Sequence, residues 1–217
     1  MATWIAHLRV AEALLEHLQV KDLEAFLAGS IGPDSGRKTR GIDSFDPPSK
    51  ITHFIKDTYK DSIDTEGFYE RYLKDKPNDD FYLAYYIHLL CDVSWSKNIS
   101  KPVISEYYSE FEHNPHFMSV IKQDWYGLDF EFLEEHPDWW IFKRFSSIKH
   151  FDNHYFDFYT KDAFTIQIGE ISRYYVDPKN RPEYLGIFLK KSEMEEWIDE
   201  TLVMIKDDLQ EKGWSRA

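Results

Sequence analysis

Residues 80–96 read DFYLAYYIHLLCDVSWS, an almost unbroken apolar run that carries a histidine and an aspartate four residues apart, His88 and Asp92. A stretch this long and apolar on nearly every side predicts a helix at the centre of the molecule, around which other elements must pack. Positions i and i+4 share one helix face, so His88 and Asp92 reach a common point, with Phe81, Ala84, Tyr85 and Trp95 on the same face. Burying an imidazole or a carboxylate costs free energy unless something pairs with it. The pair therefore satisfies itself or other core groups, or it holds a metal ion.

The flanking sequence predicts more helices. Residues 4–18 are amphipathic: Val10, Ala11, Leu14, Leu15 and Leu18 form one face, with Arg9, Glu12, Glu16 and Gln19 opposite. His7 falls mid-way across the apolar face and His17 at its rim, so only His7 is expected inside. A shorter helix, VKDLEAFLAG, is expected to stop at Gly29. Residues 29–54 lack periodicity and are rich in Gly, Pro, Ser and Asp, and unstructured connections of that length are usually functional or disordered. Asp34 follows Gly32-Pro33 there, and His53 comes where apolar residues return at Ile51. Helices are further expected at 66–74 (closed by KDKPNDD), 101–112, 117–124, 128–135 and 138–151. AFTIQIGEISRYYV fits helix or strand. A last helix opens on a Ser192/Glu195 capping box and carries the stripe Met194, Trp197, Ile198, Thr201, Leu202 and Ile205. With no repeat or linker, the expectation is all-α: one compact multi-helix domain over residues 1–217.

Charge narrows the function. With 26 basic against 39 acidic residues and a formal charge of −13, broad contact with nucleic-acid phosphates is not favoured. A small phosphate ester remains compatible, because a bound divalent cation reverses the local field. Cys91 is the single cysteine, so no internal disulfide forms. No apolar stretch is long enough for a transmembrane segment. His7, Arg9, Glu12 and Glu16 interrupt what would be the core of a signal peptide. These features lead to the expectation of a cytoplasmic, soluble protein; they carry no signal of oligomeric state.

Five residues form the candidate ligand set: His7, Asp34, His53, His88 and Asp92. Imidazole with carboxylate suits zinc, and three protein ligands plus water is the usual catalytic arrangement. The order WIAHLRVA, FLAGSIGPD, ITHF, YYIHLLCDVSW over residues 1–96 resembles the bacterial zinc-dependent phospholipase C family, related more distantly to nucleases of the S1/P1 type. That resemblance implies a fold of the phospholipase C / P1 nuclease type. It also implies one ion on Asp34, His53, His88 and Asp92, with Asp92 bridging to a second ion that also uses His7. One or two zinc ions, or another divalent metal, are expected. The family also uses the amino group of an N-terminal Trp and later His and His-x-x-x-Glu ligands. Here Met-Ala-Thr precedes Trp4 and no such downstream pattern occurs, which implies a reduced metal set.

Further candidates are His113 and His116 in EHNPHF, His136, the pair His150 and His154, and Asp124 and Asp129 in KQDWYGLDF. Asp34 is the group expected to orient or deprotonate the attacking water while touching the metal; Asp124, the favoured extra acidic ligand, is the alternative general base. The paired aromatics Tyr107-Tyr108, Trp139-Trp140 and Tyr174-Tyr175 read as core. The expected activity is zinc-dependent hydrolysis of a small phosphoester or phospholipid head group by metal-activated water. The rival is a non-catalytic, metal-stabilised binding module.

Overall fold

A computed structural model of the chain describes residues 1–39, 44–57, 62–76, 79–114 and 116–214. The architecture is mostly helical, with one two-stranded antiparallel ribbon pairing β1 (Arg37–Lys38) and β2 (Phe45–Asp46). The central helix is α5, Asp80–Trp95, and every residue in it except Val93 is buried. Its start is set by Asp79, whose carboxylate accepts the Tyr82 N–H at 3.0 Å. The Asp80 carboxylate accepts the N–H groups of Lys21 and Asp22 at 2.9 and 2.6 Å, which moors the entry to α2 (Leu23–Ile31).

α2 lies against α5 so closely that a methyl carbon placed at Gly29 would sit 2.3 Å from the Phe81 carbonyl oxygen. Gly29 therefore does not stop the helix. It is the contact point, and α2 runs on to Ile31 and tightens into a 3₁₀ turn, Gly32–Asp34. At Gly32 the same hypothetical carbon would meet the Tyr85 ring at 2.6 Å. The two glycines thus bring the chain against α5 and deliver Asp34 beside it.

Several expected boundaries move. α1 spans Trp4–Leu14, and Leu18, although buried, belongs to the turn that follows. The long loop is partly ordered, holding the β-ribbon and α3 (Ser49–Thr52); its residues 40–43 lie outside the described residues. Residues 66–74 form α4 (Thr65–Phe68) plus a π-helical turn, Tyr69–Leu73; positions 77–78 of KDKPNDD are also outside the described residues. Residues 101–112 split at Tyr107 into α6 (Lys101–Glu106) and α7 (Tyr108–His113). Conversely, 117–124 and 128–135 merge into α8, Phe117–Glu135. α9 covers Trp140–Ser147 only. The ambiguous AFTIQIGEISRYYV is helical, as α10 (Ala163–Val176). α11 spans Lys191–Glu211 with Glu193, not Glu195, closing its first turn by accepting the Lys190 N–H at 2.7 Å. Glu195 instead pairs with Arg9 of α1. One apolar cluster runs from Ala2 to Leu209. Among the described residues, no helix is long and apolar enough to cross a membrane.

A buried carboxylate ties α1, α8 and α10 together. Asp129 of α8 accepts the Thr3 hydroxyl at 2.6 Å and the Tyr175 hydroxyl of α10. Thr3 is also the N-cap of α1, accepting the Ala6 N–H at 3.4 Å. Burial outweighs both donors and pushes the Asp129 carboxyl up to about 7.

Two predictions arise from this packing. Gly29→Ala should cost about 1–3 kcal/mol of overpacking, seen as a melting temperature lowered by roughly 2–12 °C. Asp129 keeps its proton in the folded state from its usual value near 3.8 up to about 7, so its contribution to stability falls as pH rises through that window. Denaturant titrations of Asp129→Asn across this range should show a flatter pH dependence than the parent; parallel curves would contradict the assignment.

Candidate metal centre

The five predicted ligands converge. His7 comes from the middle of α1, Asp34 from the end of the 3₁₀ turn, His53 from the residue capping α3, and His88 and Asp92 from adjacent turns of α5. His7, His53, His88 and Asp92 are each at most 2% exposed. Asp34 is the accessible member, with 10% of its side-chain surface open.

Two of the three imidazoles are aimed from outside the cluster. His88 Nδ1 lies 2.8 Å from the Ser30 carbonyl oxygen of α2. A carbonyl only accepts, so Nδ1 carries the hydrogen and Nε2 presents a lone pair to the cluster in neutral imidazole. His53 Nδ1 meets the Thr52 hydroxyl at 2.9 Å, while Tyr85 of α5 donates its hydroxyl to the Thr52 carbonyl. With Nε2 serving as ligand, His53 Nδ1 donates to that hydroxyl. Outer-sphere partners of this kind orient metal-binding histidines. The 3₁₀ turn is pinned by the Tyr159 hydroxyl, which donates to the Gly32 carbonyl at 2.8 Å.

At the centre, the two oxygens of Asp92 face different rings. Oδ1 is 3.5 Å from His7 Nε2, whereas Oδ2 is 3.4 Å from His53 Nε2 and 3.6 Å from His88 Nε2. Asp34 Oδ1 is 3.4 Å from the same His53 nitrogen. Only Oδ1 of Asp92 has a donor in bonding range, the Ala2 N–H at 2.9 Å. Both ring nitrogens of His7, Nε2 of His53 and His88, and Oδ2 of Asp92 are buried with no hydrogen-bond partner among the described residues. Buried polar atoms are rarely left so. Two ligands bound to one tetrahedral zinc at ~2.0–2.1 Å lie ~3.3–3.4 Å apart, close to the spacings around Asp92 and Asp34.

Two groupings have donor atoms all within 4.8 Å of one another: His7, His88 and Asp92, and Asp34, His53 and His88. His88 is common to both, yet its Nδ1 is committed to Ser30 and it offers a single lone pair. The His7 and His88 rings are also stacked, 3.6 Å apart and 7° from parallel, so their in-plane lone pairs do not converge on one point. Asp92 is the residue able to serve two positions. One position collects Asp34, His53, His88 and Asp92 Oδ2. The other collects His7 and Asp92 Oδ1.

The electrostatics suit cation binding. Burial opposes ionisation of Asp92, but the positive N-terminal amine and the facing His7 and His88 imidazoles hold its carboxyl well below the usual range. Asp34, opposed by burial and favoured by His53 and His88, is held at about 2. Burial, reinforced by His88, lowers His7 to about 4, so it is neutral near pH 7. His88 is also disfavoured as a cation by burial, yet the neighbouring Asp92 and Asp34 carboxylates raise it above its ordinary value. Cys91 stays out: burial pushes its thiol well up, away from the thiolate that metals require.

The remaining candidates lie elsewhere. Asp124 does not join the cluster. Its Oδ1 accepts the N–H groups of Leu185 and Gly186 at 2.8 and 3.1 Å, and its Oδ2 those of Ile187 and Phe188, both at 2.7 Å. A carboxylate with four backbone donors is a clamp for the segment before α11, and this geometry offers no proton abstraction. His113, His116, His136, His150 and His154 are exposed; His113 and His136 turn Nδ1 to carbonyls one helical turn back. Asp129 belongs to the Thr3–Tyr175 knot. Sequence reading missed Ser30 and Thr52, which aim the rings. Thr52 is flagged only by its position next to His53, and Ser30 by nothing short of the α2–α5 packing.

Compared with family models, with curated proteins and with solved structures, the chain matches none.

Asp124→Ala should strand four backbone donors and cost at least about 3 kcal/mol, hydrogen bonds to charged groups being worth ~1.5–3 kcal/mol each. Zinc bound per folded chain should be unchanged, as measured by metal analysis of the variant. Loss of zinc with stability retained would return Asp124 to the site.

Proposed function

We propose that this chain is a zinc-dependent phosphoester hydrolase of the phospholipase C-like type. The observation that carries the reading is the set of buried, hydrogen-bond-orphaned donors around Asp92, spaced as ligands of shared ions and not as partners of each other. Three imidazoles with two carboxylates suit zinc better than the all-oxygen cations. The order of the motifs along the first 96 residues supports the same reading.

Bound zinc supplies a Lewis acid for the phosphoryl oxygen and acidifies an attacking water. Asp34 is the least buried member of the cluster. A carboxyl held at about 2 stays ionised and is a weak base. Its role is to hold and orient the water by accepting its hydrogen. The Ser30 carbonyl fixes the tautomer of His88, and the Thr52 hydroxyl orients the His53 ring. Asp92 holds both positions at a set separation.

Ligand count ranks the positions. Four groups surround the first, while the described residues give the second only His7 and one oxygen of Asp92. Protein purified without chelator should carry at least one tight equivalent of zinc. His88→Ala and Asp34→Asn should each weaken that equivalent at least about tenfold, the low end for loss of a supporting group, whereas His7→Ala should spare it and remove only weaker binding. Less than one equivalent, unchanged in His88→Ala, would sink the metal assignment. Zinc-dependent release of nitrophenol from nitrophenyl phosphate mono- or diesters should disappear in Asp92→Asn. Zinc held tightly with no turnover of either would make the chain a metal-stabilised binding module.

A further inference from the structure

His53 and Asp92 form one border of a cavity of about 330 Å³, near the small end of ligand sites, which run from ~300 to 1,000 Å³. Four aliphatic side chains from three parts of the fold line it: Ile55, Ile63, Ile104 and Met118. Ile55 and Ile63 stand opposite each other in an antiparallel bridge, which puts their side chains on one face. Ile104 comes from α6, which leaves α5 through the π-helical turn Ser96–Ser100, and Met118 comes from α8. All four are only half-buried, and Ile55 and Ile104 are not members of the apolar core cluster. Apolar surface gathered at one cavity beside a buried ligand set gains free energy when an apolar group covers it. Lys101 and Lys122 also line the space, but both are engaged by other groups, so charge does not set its preference.

Volume narrows the occupant. An apolar cavity of ~150 Å³ holds one benzene, so 330 Å³ has room for about two fused rings and not for a pair of long acyl chains. Resting on the hydrolase reading above, we infer that this cavity is the specificity pocket for the esterified alcohol, and that it takes one compact apolar group of naphthalene size. The phosphate sits at the ion cluster, and the organic group lies against Ile55, Ile63, Ile104 and Met118. Substrates are then chosen by hydrophobic match of the alcohol and not by cationic recognition. On hydrolysis the water oxygen bonds to phosphorus and the phosphorus–oxygen bond to the organic group breaks. The alcohol leaves with a proton from that water.

The test uses the zinc-loaded full chain and phosphonates, whose carbon–phosphorus bond water does not split, so that binding is read without turnover. Methyl-, benzyl-, naphthylmethyl- and pyrenylmethylphosphonate share one charged group and differ only in the apolar one. In calorimetric titrations the naphthylmethyl compound should bind at least about tenfold more tightly than the methyl compound, a difference of ~1.4 kcal/mol. The benzyl compound should fall between them, and the pyrenylmethyl compound should gain nothing further. Ile104→Gln makes one wall polar and Ile104→Phe fills the space. Each should bring the naphthylmethyl and methyl affinities within about threefold while the chain binds the same amount of zinc. Equal affinities across the series, an affinity still rising at pyrenylmethyl, or a preference untouched by both variants would overturn the inference. The two readings fail separately. Preference for the naphthylmethyl compound in a zinc-loaded chain that turns over neither naphthyl phosphate nor the nitrophenyl esters defeats the hydrolase and leaves the pocket. Turnover without that preference defeats the pocket and leaves the hydrolase.

Discussion

The contact between α2 and α5 at Gly29 and Phe81 is the constraint on which the rest of the molecule depends. It leaves no room for a side chain, so the two backbones meet directly. Three features of the centre follow from that approach. The Ser30 carbonyl arrives within bonding distance of His88 and fixes its tautomer. The chain leaving α2 turns tightly at Gly32 against the Tyr85 ring and carries Asp34 to the cluster. Tyr85, held in that crowd, reaches the Thr52 carbonyl and fastens the segment that presents His53. Packing of one helix pair thus sets the aim of three ligands that lie far apart along the chain.

α1 completes the arrangement from the other side. Its N-cap hydroxyl is gripped by Asp129, and Tyr175 holds the second oxygen of that carboxylate. This places His7 face to face with His88 and brings the Ala2 N–H onto Asp92. Asp92 is then surrounded by three imidazoles at distances too long for good hydrogen bonds. In a dry interior such an arrangement calls for positive charge between the groups. Rigid helices supply two of its neighbours, which is the support that a preorganised ligand set needs.

Much of this was legible in the sequence, for a definite reason. α5 is apolar all round, so anything polar on it must be buried, and His88 and Asp92 stood out at once. His7 stood out in the same way against the apolar face of α1, and His17 was correctly left at the surface. Where periodicity was weak, local reading failed. Gly29 looked like a terminator because the backbone it touches is 52 residues away in sequence. Residues 117–124 and 128–135 were expected as separate helices, although α8 runs through Gly127, which packs against Tyr184. The capping box at α11 was placed two residues late because Lys190, the residue at the cap, has no capping signature. Asp124 looked like a free acid beside aromatics. Its partners are four backbone N–H groups some 60 positions on, and backbone donors leave no mark in a sequence.

The buried aspartates of this fold differ in how completely each is satisfied. Asp124 has four backbone donors on its two oxygens. Asp80 takes two backbone N–H groups at a helix start, a position where negative charge is also favoured by the helix dipole. Asp129 has two hydroxyls, too few to offset burial, and responds by holding its proton up to about 7. Asp92 does neither. It stays ionised with one backbone donor and leaves an oxygen unbonded among nitrogens that are themselves unbonded. A carboxylate needed only for stability would be served more cheaply by the solutions used at Asp124 or Asp80. Incomplete satisfaction at a fully buried point of the core, shared among the described residues by five atoms of four residues, is therefore a feature that a bound metal ion would satisfy.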